Sequence, residues 1–496
     1  MTRTAGFALL MLGVCGLSGS LVAQAPQAPP AGQTESLKGV VFKGKAPVSE
    51  EVLRVKLPRP QEGTLDNGAH LMVLEDHKLP SISLQVVIPG AGGYFDPDDR
   101  PGLATVAASL MREGTKSRTS QQISEQLETM AASLGVGTGA SSVDSTLSAS
   151  SLTDNFDKLL DLVADVLLNP SYPDDEIARY KQRTHATLIQ QRSNPGFLAF
   201  ELADRAIYGN HPAARSGLTP ESLKALTRDE LVAVHRTRYV PDHALVALAG
   251  DISLAEAAKK LNAVLAGWKK AGTPKPVVKD PPPAGPAKVS FVHRPNSVQT
   301  NLVVGLQAIN RTSADYDVLQ VMNKVLGGGP TGRLFMILRE ERGYTYGASS
   351  SLTVPRHRGD WFASTSVRTE VTEPALKELL HQINRMRDEI VPDKEFRDAR
   401  RAMIAAFALR LESADAVLGN HVTRWLYDLP ADYWDRYPER IVAVTPQQVQ
   451  VAAKKYLDPA RLQIIAVGEG EKVRAALKGF GPFEEYDAEG NRQPSN

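Results

Sequence analysis

Cysteine is nearly missing from this chain: Cys15 is its only one in 496 residues. A single thiol near the N terminus excludes an intramolecular disulfide framework and a thiolate metal cluster. An excess of one charge is missing too. Lys and Arg number 57 against 56 Asp and Glu, for a formal net charge of +1. The concentrated basic face of a nucleic-acid binder is therefore not indicated, and the balance selects neither an acidic substrate nor an anionic membrane. Paired histidines are absent as well. The ten are spread so that no two fall three or four residues apart, the spacing that sets two imidazoles on one helical face. Long apolar runs are confined to Ala5–Val22, which Gly13, Gly16, Ser18 and Gly19 interrupt. With Arg3 before it and Ala23 and Ala25 after it, this run reads as a secretory signal peptide over residues 1–25. The expected location is periplasmic or secreted, with an uncleaved anchor as the alternative. Leu12-Gly13-Val14-Cys15 is a poor lipidation sequence, because Val14 stands where Gly or Ala is expected.

What is present is an ordinary globular composition, 42% hydrophobic and 23% charged, on a chain too long for one core. An Ala/Pro/Gln-rich leader occupies residues 26–55. A proline-dense stretch over 270–287 favours extended backbone and separates two halves, 56–269 and 288–482, ahead of a tail at 483–496. The halves share an ordered set of signals. Thr227 opens a helix that stops at Tyr239-Val240-Pro241, before the strand Ala244–Ala249 and Gly250. Thr445 opens one that stops at Tyr456-Leu457-Asp458-Pro459, before the strand Leu462–Val467 and Gly468. Duplication accounts for this better than coincidence. Strand alternation at His70–Leu74, Ser81–Ile88 and Val143–Ser151 combines with helical periodicity at Leu103–Met111, Ile123–Ala132, Asn155–Leu168 and Asp174–Gln191. The fold class expected is α+β, two homologous domains in tandem, each a mainly antiparallel sheet with helices on one face.

Several segments then fall in one familiar order: Leu65-Asp66-Asn67-Gly68, Gly102–Thr115, Tyr208-Gly209-Asn210-His211-Pro212, Tyr239–Gly250, Leu326-Gly327-Gly328-Gly329 with Arg333-Leu334, and Leu338-Arg339-Glu340 through Tyr346. Together they resemble the pitrilysin family, in the branch of the mitochondrial processing peptidases and their bacterial relatives, over nearly the whole mature chain. The resemblance implies two similar domains closing around a chamber, and pairing of two chains. It also marks a loss. The frame Gly102-Leu103-Ala104 and Gly114-Thr115 matches the helix that carries H-x-x-E-H in such inverzincins. Thr105 stands for the first His, Ala108 for the general-base Glu and Ser109 for the second His. The third ligand, a Glu on a helix ending near Asn194-Pro195, is replaced by Thr187. Zinc needs imidazole or carboxylate donors, and its water needs a carboxylate base. No metal is expected in this chain.

A second family signature is intact. Relatives carry an Arg and, seven residues on, a Tyr that face the substrate; Arg339 and Tyr346 match that spacing. Such donors could hold a peptide carbonyl and stabilise an oxyanion. From the residues alone Arg339 could equally be a solvated helix residue beside Glu340 and Glu341, and Tyr346 a core aromatic. The run Gly327-Gly328-Gly329 fails as a phosphate loop, since Arg333 and Leu334 stand where Lys and Ser/Thr are needed. The resemblance suggests a substrate-contacting loop, the glycines themselves a tight turn. The leading expectation is a zinc-free, substrate-contacting subunit, inactive alone, completed by a zinc-bearing homologous partner and acting on peptides or unfolded segments. The alternatives are a non-enzymatic scaffold of the same fold and a peptidase with an unrecognised site.

Overall fold

The computed structural model describes residues 52–494; the signal peptide and most of the leader expected from the sequence lie outside the described residues. Two six-stranded sheets organise the chain. The first contains β1 (Gln61–Thr64), β2 (His70–Glu75), β3 (Ser81–Pro89), β4 (Ser133–Gly137), β5 (Asp144–Leu152) and β6 (Leu245–Gly250), in the order β1-β2-β6-β3-β5-β4. The second contains β7 (Lys288–His293), β8 (Gln299–Gln307), β9 (Thr345–Thr353), β10 (Asp360–Arg368), β11 (Gln463–Gly468) and β12 (Phe483–Tyr486), in the order β12-β7-β11-β8-β10-β9. Five strands of each sheet correspond in order and direction, with β2 beside β6 and β7 beside β11 as parallel pairs inside otherwise antiparallel ladders. The local signals explain why. Thr227 and Thr445 each close a capping box, with Glu230 and Gln448, so both helices start where the sequence places them.

The sixth strand breaks the symmetry. In the first half it is β1, a hairpin arm antiparallel to β2; in the second it is β12, running parallel to β7. This corrects the sequence expectation of a tail from residue 483. Phe483 lies 5.9 Å from Phe291 and joins the second core, which fixes the segment as an edge strand.

A second correction concerns the sheet faces. Helices were expected on one face only, but each sheet is covered on both. On its inner face the first sheet packs Leu84, Val86 and Val246 against α1 (Leu103–Leu110) and α3 (Phe156–Leu168), with α2 (Ser120–Thr129) adding Ile123. Its other face (Met72, Leu74, Val87, Ala247) lies under Val417, Leu418 and Val422 of the helix Ala414–Leu426, which belongs to the second half. The exchange is mutual. Following α4 (Asp174–Ser193), α5 (Pro195–Tyr208) leaves the first half and sets Leu198, Leu202 and Ile207 on Val292, Val303 and Ile465 of the second sheet. Buried on both faces, β6 and β11 read as continuous apolar runs rather than alternations. Residues 270–287 carry no helix or strand, yet they are tied down: the Lys279 amide donates to the Tyr94 hydroxyl at 3.1 Å, and Gln307 Nε2 donates to the Pro282 carbonyl at 2.6 Å.

Candidate functional site

Helix α1 begins where Gly102 takes a left-handed φ of +84° and the buried Asp96 carboxylate accepts from the Ala104 amide at 3.1 Å. A Cβ on Gly102 would meet Leu218 at 2.7 Å, and one on Gly114 would meet Pro173 at 2.8 Å. The surviving frame of the degenerate motif is thus held by backbone geometry, which is independent of zinc. Inside it, the polar positions are spent locally. Thr105 Oγ1 donates to the Thr138 carbonyl at 3.3 Å, Ser109 Oγ to the Thr105 carbonyl at 2.8 Å, and the Ala108 methyl is fully buried. On α4, Thr187 is exposed and its hydroxyl turns back to the Arg183 carbonyl at 3.1 Å. Neutral hydroxyls engaged with their own chain and a methyl group do not fit a zinc ion. Among the described residues, no three or more His, Cys, Asp or Glu side chains converge as a metal site.

Arg339 and Tyr346 lie elsewhere. The helix begun at Arg333–Phe335 widens into a π-helical turn over Met336–Glu341 that carries Arg339, a distortion often found at functional sites. The Arg339 guanidinium rests 4.8 Å over the Phe335 ring, half exposed, with only a 3.4 Å surface contact to Glu340. Gly343 then reverses the chain at φ +62° and donates back to the Arg339 carbonyl at 3.1 Å. In the strand that follows, Ala348 and Ser350 are buried, and a regular strand would bury Tyr346 with them. A β-bulge prevents this: Thr345 pairs with Val367 and Ala348 with Thr365, so Tyr346 and Gly347 together oppose Ser366. Thr345 Oγ1 fastens the bulge by donating to the Ser366 carbonyl at 2.7 Å. Bulges re-aim side chains, and Tyr346 ends 87% exposed. It is not a core aromatic.

Beside the pair runs a groove of about 550 Å³, floored by β8, β10 and β9 and walled by Phe200 of α5, Phe335 and Gly329-Pro330. Arg339 and Tyr346 each adjoin a groove-lining residue, Phe335 and Gly347 respectively. None of Thr105, Ala108, Ser109 or Thr187 lines it. The glycine run has a packing role. A Cβ on Gly327 would sit 2.6 Å from the Ser350 amide nitrogen, and one on Gly328 would sit 2.8 Å from Lys324 Cα, so the turn lets the helix Tyr316–Leu326 approach β9 closely; Gly329, at φ +138°, reaches the groove.

Comparison with known proteins places this architecture. Residues 71–221 match the model for insulinase (peptidase family M16), and residues 225–403 match the model for the peptidase M16 inactive domain. The chain belongs to peptidase family M16. The crystal structure of a peptidase M16 inactive domain from Pseudomonas fluorescens superposes with a TM-score of 0.76 at 28% identity, over 83% of this chain and 98% of that one. An uncharacterized zinc protease, YmxG, of Bacillus subtilis is 21% identical over 72% of this chain and 86% of its own length. A Helicobacter pylori protein named a non-peptidase homolog, YmxG, is 22% identical over 80% of this chain and 91% of its own. Within family M16 this chain is an inactive member, its zinc positions converted to hydroxyls and a methyl.

Sequence reasoning missed one feature of this M16 protein. Between the two sheets lies a second cavity of about 560 Å³, lined by Asp144, Asp204, Tyr208, Arg356, His357 and Asp360, among others. Burial pushes the Asp204 carboxyl up to about 8, with negative Asp360 and Glu201 nearby adding to the rise. Asp360 is raised by burial to about 6, although it accepts from the Tyr208 hydroxyl at 2.5 Å. These residues come from α5 and β10, far apart in sequence, so no local pattern announces them.

Proposed function

We propose that this chain is the zinc-free, substrate-contacting subunit of a heterodimeric metallopeptidase that cleaves peptides or unfolded segments. Its partner would be a zinc-bearing homologous chain, and the working location is the periplasm or beyond. The observation that carries the reading is the bulge that turns Tyr346 out of the core, beside a groove and a strand, while the hydroxyls at the former ligand positions are spent on backbone carbonyls. The ion held by the partner would polarise the scissile carbonyl and activate water. This chain's residues bind and orient. Arg339 offers a planar fork of donors to a peptide carbonyl or carboxylate, and Tyr346 one phenolic donor to the developing oxyanion. The free edge of β9 at the end of the sheet suits an extended peptide added as a further strand.

The test is a mixture of the purified chain with a zinc-bearing M16 relative from the same cell. Cleavage should require both chains. Arg339→Ala or Tyr346→Phe should lower turnover by about 10²–10³ with the zinc content of the mixture unchanged. Full activity from the partner alone removes the proposal. The second reading, a non-enzymatic peptide-holding or assembly protein, draws on the name of the H. pylori relative. It predicts a stable complex whose hydrolysis, if any, ignores Tyr346→Phe.

A further inference from the structure

The cavity between the sheets is electrostatically unfinished. Asp144, Asp204 and Asp360 line it against one cationic group, Arg356, whose Nη1 is committed to Asp144 at 3.2 Å. His357 is no counter-charge, because burial lowers its proton affinity. Asp204 makes no hydrogen bond or ion pair with any described residue, and the charges nearest it are carboxylates. Glu201, behind it, is already held by Arg192 through Oε1 at 2.7 Å. Asp360 is only 5% exposed and uses Oδ2 for the Tyr208 hydroxyl, while its Oδ1 makes no hydrogen bond of good geometry and has only the Thr353 side chain, opposite it on β9, to favour its charge. A buried carboxyl oxygen without a donor costs on the order of 1–3 kcal/mol, and natural proteins keep few of them unless something completes the site.

We infer that this cavity is a subsite for the guanidinium or ammonium side chain of a peptide, paired by Asp204 and Asp360. The donor set fits an organic cation better than a metal: the unpaired Asp204 carboxyl, one oxygen of Asp360 and a phenol do not supply a closed oxygen shell, and among the described residues no three ligating groups converge there. A guanidinium brings its own directional donors, one fork satisfying Asp360 Oδ1 and Asp204 together. Phe200, Phe362 and Tyr427 on the walls would cover its aliphatic stem and offer aromatic faces to the charge. The cavity is also contiguous with the groove. Phe200 lines both, and β9 runs from Gly347–Ser349 in the groove to Ser351 and Thr353 in the cavity. The Tyr346–Thr353 stretch spans roughly 23 Å of extended chain. A peptide following β9 would therefore seat a Lys or Arg roughly six to eight residues from the bond nearest Tyr346. The inference rests on the peptide-binding part of the proposed function but not on hydrolysis.

The experiment uses the purified full chain without a partner. Two short peptides, acetylated and amidated so that no terminal ammonium competes, carry one Arg or its neutral isostere citrulline, and binding is measured by calorimetry at low salt. The Arg peptide should bind about tenfold tighter or better, as expected for charge-assisted hydrogen bonds. In buffers of differing ionisation enthalpy near neutral pH, its binding should release close to one proton, since burial raises the Asp204 carboxyl to about 8 in the empty site. Asp204→Asn, which breaks no existing hydrogen bond, should abolish the proton release and most of the preference, and Asp360→Asn should remove the rest. Equal affinities for the two peptides, or a preference that survives both substitutions, overturns the subsite. Either outcome alongside normal cleavage by the mixed subunits leaves the proposed function standing. An intact Arg preference with no cleavage from the mixture sinks the subunit reading alone.

Discussion

Ala108 shows that the general-base position has been absorbed into the core. Its methyl has no exposure, so restoring the glutamate of the lost motif by Ala108→Glu should not revive a site. It would force a carboxylate into packed surroundings, at a cost of about 3 kcal/mol or more. A thermal melt should show a clear drop, whereas an unchanged melting temperature would mean that α1 still opens onto solvent or a void. Asp204 and Asp360 make the opposite case, polar groups kept where apolar ones would be cheaper. In the folded chain both hold protons at pH values where an unfolded chain has released them. Their folded affinities, about 8 and about 6, stand above the ordinary 3.8. Proton binding therefore favours the fold, and this contribution is lost as pH rises from about 4 towards 8. Melts across that range should show declining stability with a slope that Asp204→Asn flattens, the variant being the more stable at pH 8. A rising slope from these residues would contradict their placement.

The decisive element is β9, and its geometry depends on the turn before it. Gly327→Ala would drive a methyl into the Ser350 amide, pushing β9 away from the helix Tyr316–Leu326 at about 1–3 kcal/mol. The expected result is a lower melting temperature together with loss of the peptide binding proposed for the groove; a silent substitution would show that the turn has slack. Strands and helices of this protein were readable in advance because their causes are local. Thr119, Thr227 and Thr445 each close a capping box, and Ile82, Leu84 and Val86 alternate into one core. What escaped has distant causes. The bulge exists only in the register of β9 with β10, near Ser366, so the sequence could not decide whether Tyr346 was core or surface. The carboxyls of the cavity sit on α5 and β10, and along α5 alone Glu201 and Asp204 look like an ordinary solvated face. The segment Phe483–Tyr486 is too short to announce a strand until Phe291 is seen beneath it.

At the scale of the molecule, the defining feature is the exchange of α5 and the helix Ala414–Leu426 between the halves. Each sheet owes one covered face to the other half, so the proline-rich stretch divides the sequence without dividing the core. A fragment of residues 52–275 should expose Met72, Leu74, Val87 and Ala247 as a contiguous apolar face and aggregate. Co-expressed with 276–494, it should form a soluble, cooperatively melting complex. A stable, soluble N-terminal fragment by itself would refute that interdependence. The same exchange bears on synthesis at the ribosome. The first sheet is fully translated by Gly250, but its cover from the second half begins at Phe407, which at cellular elongation rates emerges on the order of 10–30 s later. Through that interval the nascent chain carries an uncovered sheet face that only a chaperone, or a secretion machinery that delays folding, can shield.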